Sequence, residues 1–500
     1  MVESLAAPAV RGKLFDVKHV VVLMQENRSF DHYYGTMSGV RGFGDRTAVT
    51  LPNGQDVFRQ PVFGGGLRMP YWINTALVAG QDNASLDLEW GTQHQAMANG
   101  RYDGWVGAKT EAAMGYFRRS DIPFHRALAD AFTICDAYHC SVLGPTTPNR
   151  LYMFTGTIDP NGRAGGPVVH NPPDYRPALR WRTYPEFLSE RGVSWKVYAN
   201  DEVGNDTDGH PYLGDYGDNP LWLFGAYHAD CNSDLSKCAG VTRGWKPASA
   251  AGRGNGHNPE HALADFISDC ASGRLPEVSW LVAPYGYCEH PQARPDDGAA
   301  YIRTMLTALW DNQDLWNSTV VLINYDENDG LFDHVPPPLP PPGTPDEFVR
   351  GLPIGLGYRV PMTVISPWSR GGAVASELFD HTSVIRFIES WKHPDQPFPN
   401  ISAWRRAVCG DLTSCFNFAA GRDARAEVPK SLRAMSPYPA NREQRLPAST
   451  PPPLDRQSAP TQDKGRRPAR PLPYQPVAPA RLAADGRAFA LPLRNSGARA

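Results

Sequence analysis

Two stretches far apart in the chain share one pattern of apolar positions. Val17–Asn27 (VKHVVVLMQEN) and Ser318–Asn328 (STVVLINYDEN) are runs of β-branched and aliphatic residues with almost no polar alternation. Such a run predicts a strand buried on both faces of a sheet that helices cover. Each run ends in polar groups, Glu26 and Asn27 in the first, Asp326 and Glu327 in the second. In open α/β sheets ligands bind in the crevice beyond the carboxyl ends of parallel strands, so these four residues are expected to converge there. Either end alone also reads as a solvated strand end or a helix cap. That both end alike favours a site.

The pattern elsewhere predicts further βα units. Ser29 is placed to cap a short helix, and Leu128–Thr157 reads as a short buried strand, a loop and a helix, with Thr147 as N-cap and Pro148 at the first helical position. Thr146 then lies just before a helix N-terminus, where amide donors and the helix dipole hold an anion, with Asn149 and Arg150 beside it. YPEFLSERG followed by VSWKVY, the helix His261–Cys270 with the strand Glu277–Ala283, the helix Gly298–Asn312, the strand Arg359–Ser366 and the helix Ser383–Trp391 extend the alternation. Pro336–Pro342 is polyproline and is expected to form a stiff wall. After about residue 425 the chain turns rich in Pro, Ala and Arg, so 1–425 is expected to be the catalytic unit and 426–500 a surface strap leading toward an accessory β-domain.

Composition narrows the functions. With 49 basic against 52 acidic residues the formal charge is −3, which leaves no electrostatic footprint for nucleic acid or an anionic membrane. Abundant Gly (46) and Pro (48) with 13 Trp point to long ordered loops and aromatic-lined pockets. No apolar window is long enough for a transmembrane helix, and Met1–Lys13 lacks the features of a signal peptide. Eight cysteines, with the close pairs Cys135/Cys140, Cys231/Cys238 and Cys409/Cys415, fit loop-stapling disulfides in an oxidising compartment, or buried reduced thiols; connectivity cannot be read.

Several motifs are more specific. ENRSFDHYYG after the first strand, GPTTPNR before the Pro148 helix, DYGDNPLWLF, EHP at Glu289–Pro291, NYDENDGLFDHV, FDHTS at Phe379–Ser383 and RPARPLPY stand in that order. Together they resemble the bacterial phospholipase C and acid phosphatase phosphoesterases, a group that includes the plant non-specific phospholipases C. NYDENDGLFDHV is similar to the signature YDExGGFFDHV, with Asn328–Asp329 at the variable spot and Leu331 where Phe is common. The resemblance implies an alkaline-phosphatase-like α/β/α sandwich with a mostly parallel sheet. It implies Thr146 as nucleophile, His290 and His94 as proton-transfer groups, and Asn149, Arg150 and Asn219 at the substrate. Where a further His is common shortly before Trp90, this chain has Leu88. For Asp218 and Asn219 ordinary turn chemistry is the favoured reading.

Adjacent carboxylates are costly unless a cation or Arg neutralises them. The expectation is therefore a divalent cation, Ca²⁺, Mg²⁺ or Mn²⁺, held by oxygens of Glu26, Asn27, Thr146, Asp326 and Glu327. The implied substrate is a choline- or ethanolamine-type phospholipid at a membrane surface, in a secreted or periplasmic setting. Acid phosphatase activity on monoesters, and a non-enzymatic headgroup binder, are the competing readings. A cage for trimethylammonium is expected among Tyr33, Tyr34, Trp90, Tyr285 and Tyr287. Oligomeric state is not legible.

Overall fold

The computed structural model describes residues 13–173, 177–199, 212, 214, 217–227, 257–418, 430–438, 442 and 444–473. Seven strands form the main sheet: β1 (His19–Gln25), β2 (Thr133–Cys135), β3 (Trp195–Tyr198), β4 (Val278–Leu281), β5 (Thr319–Tyr325), β6 (Met362–Ile365) and β7 (Val374–Ala375). Their spatial order is β7-β2-β6-β5-β1-β4-β3. All pairings are parallel except those of β6, which runs antiparallel to both β5 and β2.

The central strands are apolar on both faces because both faces are covered. In β1, Val20, Val22 and Met24 enter one core while Val21 and Leu23 enter the other; in β5, Val320 and Leu322 part from Val321 and Ile323 in the same way. The first core is closed by α2 (Trp90–Met97), α4 (Thr146–Thr155) and α7 (Thr382–Lys392). The second is closed by α3 (Pro123–Ala131), α5 (Ala264–Ala271) and α6 (Pro295–Trp310). The result is the expected α/β/α sandwich with a mostly parallel sheet.

Three local expectations are corrected. Thr146 is the first residue of α4 and Pro145 occupies the N-cap, so Thr147 is not the cap; its N–H is taken by Asn171 Oδ1 at 2.8 Å. Pro148 falls in the first turn, where its missing N–H has no intrahelical partner to lose. Helix α6 begins at Pro295, ahead of Gly298, with Asp296 and Asp297 in the first turn against the dipole.

The six described cysteines are free and buried, so neither Cys135/Cys140 nor Cys409/Cys415 is bonded. The packing instead sets Cys135 Sγ 3.6 Å from Cys415 Sγ, across 280 residues of chain. Cys231 and Cys238 lie outside the described residues. Residues 444–473 follow the surface and meet the sheet edge at β7, where Val374 donates to Pro468 O at 2.8 Å and accepts from Arg470 N at 2.7 Å.

Candidate active site

The last paired residues of β1 and β5 are Gln25 and Tyr325, so the two acidic ends leave the sheet side by side. Asp326 N donates to Gln25 O at 3.0 Å, Glu26 N to Cys288 O at 2.8 Å, and Asn27 N to Asp326 Oδ1 at 3.0 Å. Asn27 turns the chain with φ of 58°, a left-handed conformation that Asn tolerates better than most residues. Glu26, Asn27, Asp326 and Glu327 are all fully buried.

Each of these four side chains has one polar atom held by the protein and one left bare. Glu26 Oε1 takes Arg150 Nη2 at 2.9 Å, and Oε2 has no partner. Asn27 Nδ2 donates to Asp329 Oδ1 at 2.9 Å, and Oδ1 has no partner. Asp326 Oδ1 accepts from Asn27 N and, at 2.7 Å, from Glu327 N, while Oδ2 has no hydrogen bond. Glu327 Oε2 accepts from Asp329 N at 2.5 Å, and Oε1 is bare. A buried acceptor without a partner costs about 1–3 kcal/mol, more when charged, so four at one place call for an electrophile. The donor set fits a hard divalent cation. Cys288, whose Sγ lies within 4.8 Å of ligand atoms of Glu26 and Asp218, is kept a neutral thiol, its pKa raised by burial and by those carboxylates. It offers no thiolate.

The electrostatics agree. Burial, with Asp218 and Asp326 nearby, pushes the Glu26 carboxyl well above its usual range; burial pushes Asp326 up to about 6 against the pull of Arg150. Glu327 is raised by burial and Asp326, and burial brings Asp329 to about 7. Arg150 is the guanidinium set among them, 3.2 Å from Asp218 Oδ2 and 3.5 Å from Asp326 Oδ2 as well as bonded to Glu26. Burial opposes its charge, but Asp218, Glu26 and Asp326 outweigh that.

The other expected residues divide. Thr146, buried, lies one turn before Arg150 on the same face of α4. Helical side chains lean toward the N-terminus, so Arg150 lies over the turn that carries Thr146. Asn149 spends its amide on the backbone: Oδ1 accepts from Ser141 N and Val142 N at 2.9 and 2.8 Å, and Nδ2 donates to the carbonyls of Val142, Gly144 and Pro145. It clips the loop that delivers Thr146. Asn219 caps a 3-10 turn at Pro220–Leu223, whereas its neighbour Asp218, for which a turn role was favoured, faces Arg150.

His290 follows Glu289, whose carbonyl takes Arg28 Nε at 2.9 Å, so its backbone runs along the exit of β1. Burial, aided by Arg28, lowers the His290 pKa to about 4 and leaves a neutral imidazole. His94 has Nδ1 2.7 Å from Trp90 O and Nε2 2.9 Å from Pro353 O; from α2 it is Gln93 that reaches the carboxylate loop, 2.8 Å from Asn328 Oδ1. All five cage candidates, Tyr33, Tyr34, Trp90, Tyr285 and Tyr287, are packed inside the cores, Tyr33 giving its hydroxyl to Glu289 at 2.6 Å, so the expected cage is not formed by them. Trp90 lies against His94 with ring centroids 4.3 Å apart, and Tyr285 neighbours His290 at 6.0 Å.

Sequence reasoning missed His381, which precedes α7 and places Nε2 2.7 Å from Asp326 O, with Nδ1 3.0 Å from Tyr138 Oη. The FDHTS segment was its only signal.

An α/β/α sandwich with bare carboxylate oxygens at adjoining strand ends, beside an Arg-bearing helix N-terminus, defines an enzyme site suited to a divalent cation and an anionic substrate. The model of the Phosphoesterase family matches residues 17–392, and the chain belongs to that family. It is similar to a non-hemolytic phospholipase C of Burkholderia pseudomallei, 43% identical over 99% of this chain and 72% of that protein, and to one of Pseudomonas aeruginosa, 43% identical over 99% and 70%. Non-specific phospholipase C4 of Arabidopsis thaliana is 26% identical over 72% of this chain and 63% of that protein. Among solved structures, a protein of the alkaline phosphatase superfamily from Vibrio parahaemolyticus matches 82% of this chain and 72% of its own, at 10% identity and a TM-score of 0.37. A likeness that low adds nothing to the fold already described. The protein is a phosphoesterase, and no described helix is long and apolar enough to cross a membrane.

Proposed function

We propose that this phosphoesterase is a phospholipase C that cleaves the headgroup phosphodiester of phosphatidylcholine-type lipids, giving diacylglycerol and the phosphorylated headgroup. The observation that carries this reading is the set of four ligand side chains, each with one bare oxygen, beside the turn bearing Thr146. Glu26, Asn27, Asp326 and Glu327, with the Thr146 hydroxyl, would hold the divalent cation. Bound there, it would supply Lewis-acid polarisation of the phosphoryl oxygens and lower the Thr146 hydroxyl pKa.

Thr146 Oγ attacks phosphorus in line with the departing diacylglycerol oxygen, at the positive end of the α4 dipole; Thr147 N–H, taken by Asn171 Oδ1, and Pro148, which has no N–H, give the phosphoryl group no amide. Water then releases the headgroup phosphate from Thr146. His290, neutral at pH 7, takes the Thr146 hydroxyl proton in the first step and gives it to the departing diacylglycerol oxygen, then takes a proton from the attacking water and returns it to Thr146 Oγ in the second. His94, with both ring nitrogens on backbone carbonyls, is given no proton to move. A diester is favoured over a monoester because Arg150, spent on three carboxylates, is not available to meet a dianion. The setting that fits is a phospholipid surface outside the cytoplasm.

The test is headgroup release from phosphatidylcholine and sphingomyelin vesicles, with and without chelator, beside turnover of p-nitrophenylphosphorylcholine and p-nitrophenyl phosphate. Diester turnover that chelator abolishes is expected; monoester turnover alone would overturn the reading. Acid-quenched enzyme should carry phosphate on the peptide spanning Gly144–Arg150. Thr146→Ala should lose several orders of magnitude in rate with little change in Tm, and Thr146→Ser should keep measurable activity.

A further inference from the structure

Asp329 stands where the signature quoted above carries glycine, and its φ of 57° is a backbone conformation that suits glycine. An L-residue kept there at some strain needs a reason in its side chain. Asp329 is buried, and both its oxygens are used. Oδ1 accepts from Asn27 Nδ2 at 2.9 Å and from Ser85 Oγ at 2.7 Å; Oδ2 accepts from Leu86 N at 3.0 Å. Its own N–H donates to Glu327 Oε2 at 2.5 Å.

The two contacts toward the carboxylate cluster have the same consequence. An amide can present either its oxygen or its nitrogen, and a carboxylate can present either oxygen. By taking Asn27 Nδ2, Asp329 turns the bare Oδ1 into the cluster; by taking Glu327 Oε2, its N–H leaves Oε1 as the bare atom. The same carboxylate is tied to residues 85–86, which run into α2, the helix that puts Gln93 on Asn328.

We propose that Asp329 is the positioning residue that presents Asn27 Oδ1 and Glu327 Oε1 to the divalent cation, and that it couples loading of the site to the order of the segment leading into α2. The proposal rests on the cation reading above. It makes Asp329 an outer partner that fixes the orientation of two ligands without touching the ion, a role whose loss costs about 10–100-fold in metal affinity.

The experiment is a Mn²⁺ titration of the metal-stripped full chain, followed by calorimetry and by the electron paramagnetic resonance signal of free Mn²⁺, with Tm measured on each metal-free variant. Asp329→Gly suits the left-handed backbone and keeps the N–H, so the fold should hold and metal-free Tm should not fall. We expect it to weaken Mn²⁺ binding by about 10–100-fold, while Ser85→Ala, which removes one of the loop's two ties and leaves Asn27 and Leu86 on Asp329, weakens it far less. In hydrogen exchange, Mn²⁺ should protect residues 84–88 in the wild type and not in Asp329→Gly. Wild-type affinity in Asp329→Gly overturns the proposal, as does equal weakening by Ser85→Ala, and absent protection in the wild type removes the coupling. If the wild type binds no Mn²⁺, or Asp326→Asn binds it as tightly as the wild type, the cation reading itself fails and takes this proposal with it.

Discussion

Two acidic clusters sit under neighbouring loops and differ in one respect. In the first, Glu26, Asn27, Asp326 and Glu327 each keep a bare oxygen. In the second, Asp31 and Asp333 are equally buried, yet every oxygen is taken. Asp31 Oδ1 meets Arg359 Nη2 at 3.0 Å, and its Oδ2 takes His334 N and Nδ1 at 2.8 and 2.6 Å. Asp333 Oδ1 takes Arg359 Nε and Val335 N at 2.8 and 3.0 Å, and Oδ2 takes Arg359 Nη2 and Asp31 N at 3.1 and 3.2 Å. The protein neutralises this cluster itself. One of its carboxyls also moves the other way: although burial opposes it, His334 and Arg359 hold Asp31 below the ordinary carboxylate value, whereas burial raises Asp333 as it does Glu26, Asp326 and Glu327. Asp31, Asp333 and His334 have ligand atoms close enough to grip a metal, so proximity does not separate the clusters. What separates them is whether the acceptors are spent. The closed cluster is structural, pinning the DHYY helix α1 (Phe30–Tyr34) to the FDHV segment.

Substitutions at the two clusters should therefore have opposite signatures. The largest effect is expected from Asp326→Asn, which should lower headgroup release by about a thousandfold or more, the scale of losing a principal electrostatic stabiliser, and abolish Mn²⁺-induced stabilisation. Its metal-free Tm should change little, because Asn keeps an acceptor for the Asn27 and Glu327 amides while Arg150 keeps Glu26 and Asp218; a variant that keeps full activity would erase the distinction. Asp31→Asn should instead destabilise the fold by about 3–5 kcal/mol, since it breaks a buried ion network, measured by urea unfolding. The folded fraction should still be stabilised by Mn²⁺, and loss of that response would merge the clusters.

The smallest effect is one of pH. The folded pKa of His334 is raised above 6.5, because Asp31 outweighs burial, so its contribution to stability is full below about pH 6.5 and fades as pH rises through the folded value. The folded pKa of Asp31 lies below 3.8, so its contribution is present above that value and fades as pH falls through the folded pKa. The pair is thus most stabilising between those limits. His334→Gln should flatten the alkaline side of the stability profile, and an unchanged profile would show that His334 is not charged in the fold.

How much of this was legible follows from which forces act locally. The apolar runs at Val17–Asn27 and Ser318–Asn328 named the two central strands, because a strand covered on both faces has no solvent face to make polar. They also named the four residues at the strand ends, since parallel neighbours in register must end together. The expected start of α4 lies two residues too late, because Thr147 and Pro148 are good cap chemistry in isolation and the observed cap, Pro145, is held by a clip from Asn149. Residue types and their order along the chain were thus determined by the sequence alone. Which atom of Asn27 or Glu327 stays bare, why Arg150 faces three carboxylates, that Asp218 and His381 belong to the site, and why Asp31 and Asp333 do not, were decided only by the tertiary structure. The reason is physical: apolar burial is written in local periodicity, whereas the partner of a buried polar atom is a single group that folding delivers from anywhere in the chain, as Asp329 reaches Asn27 across 302 positions.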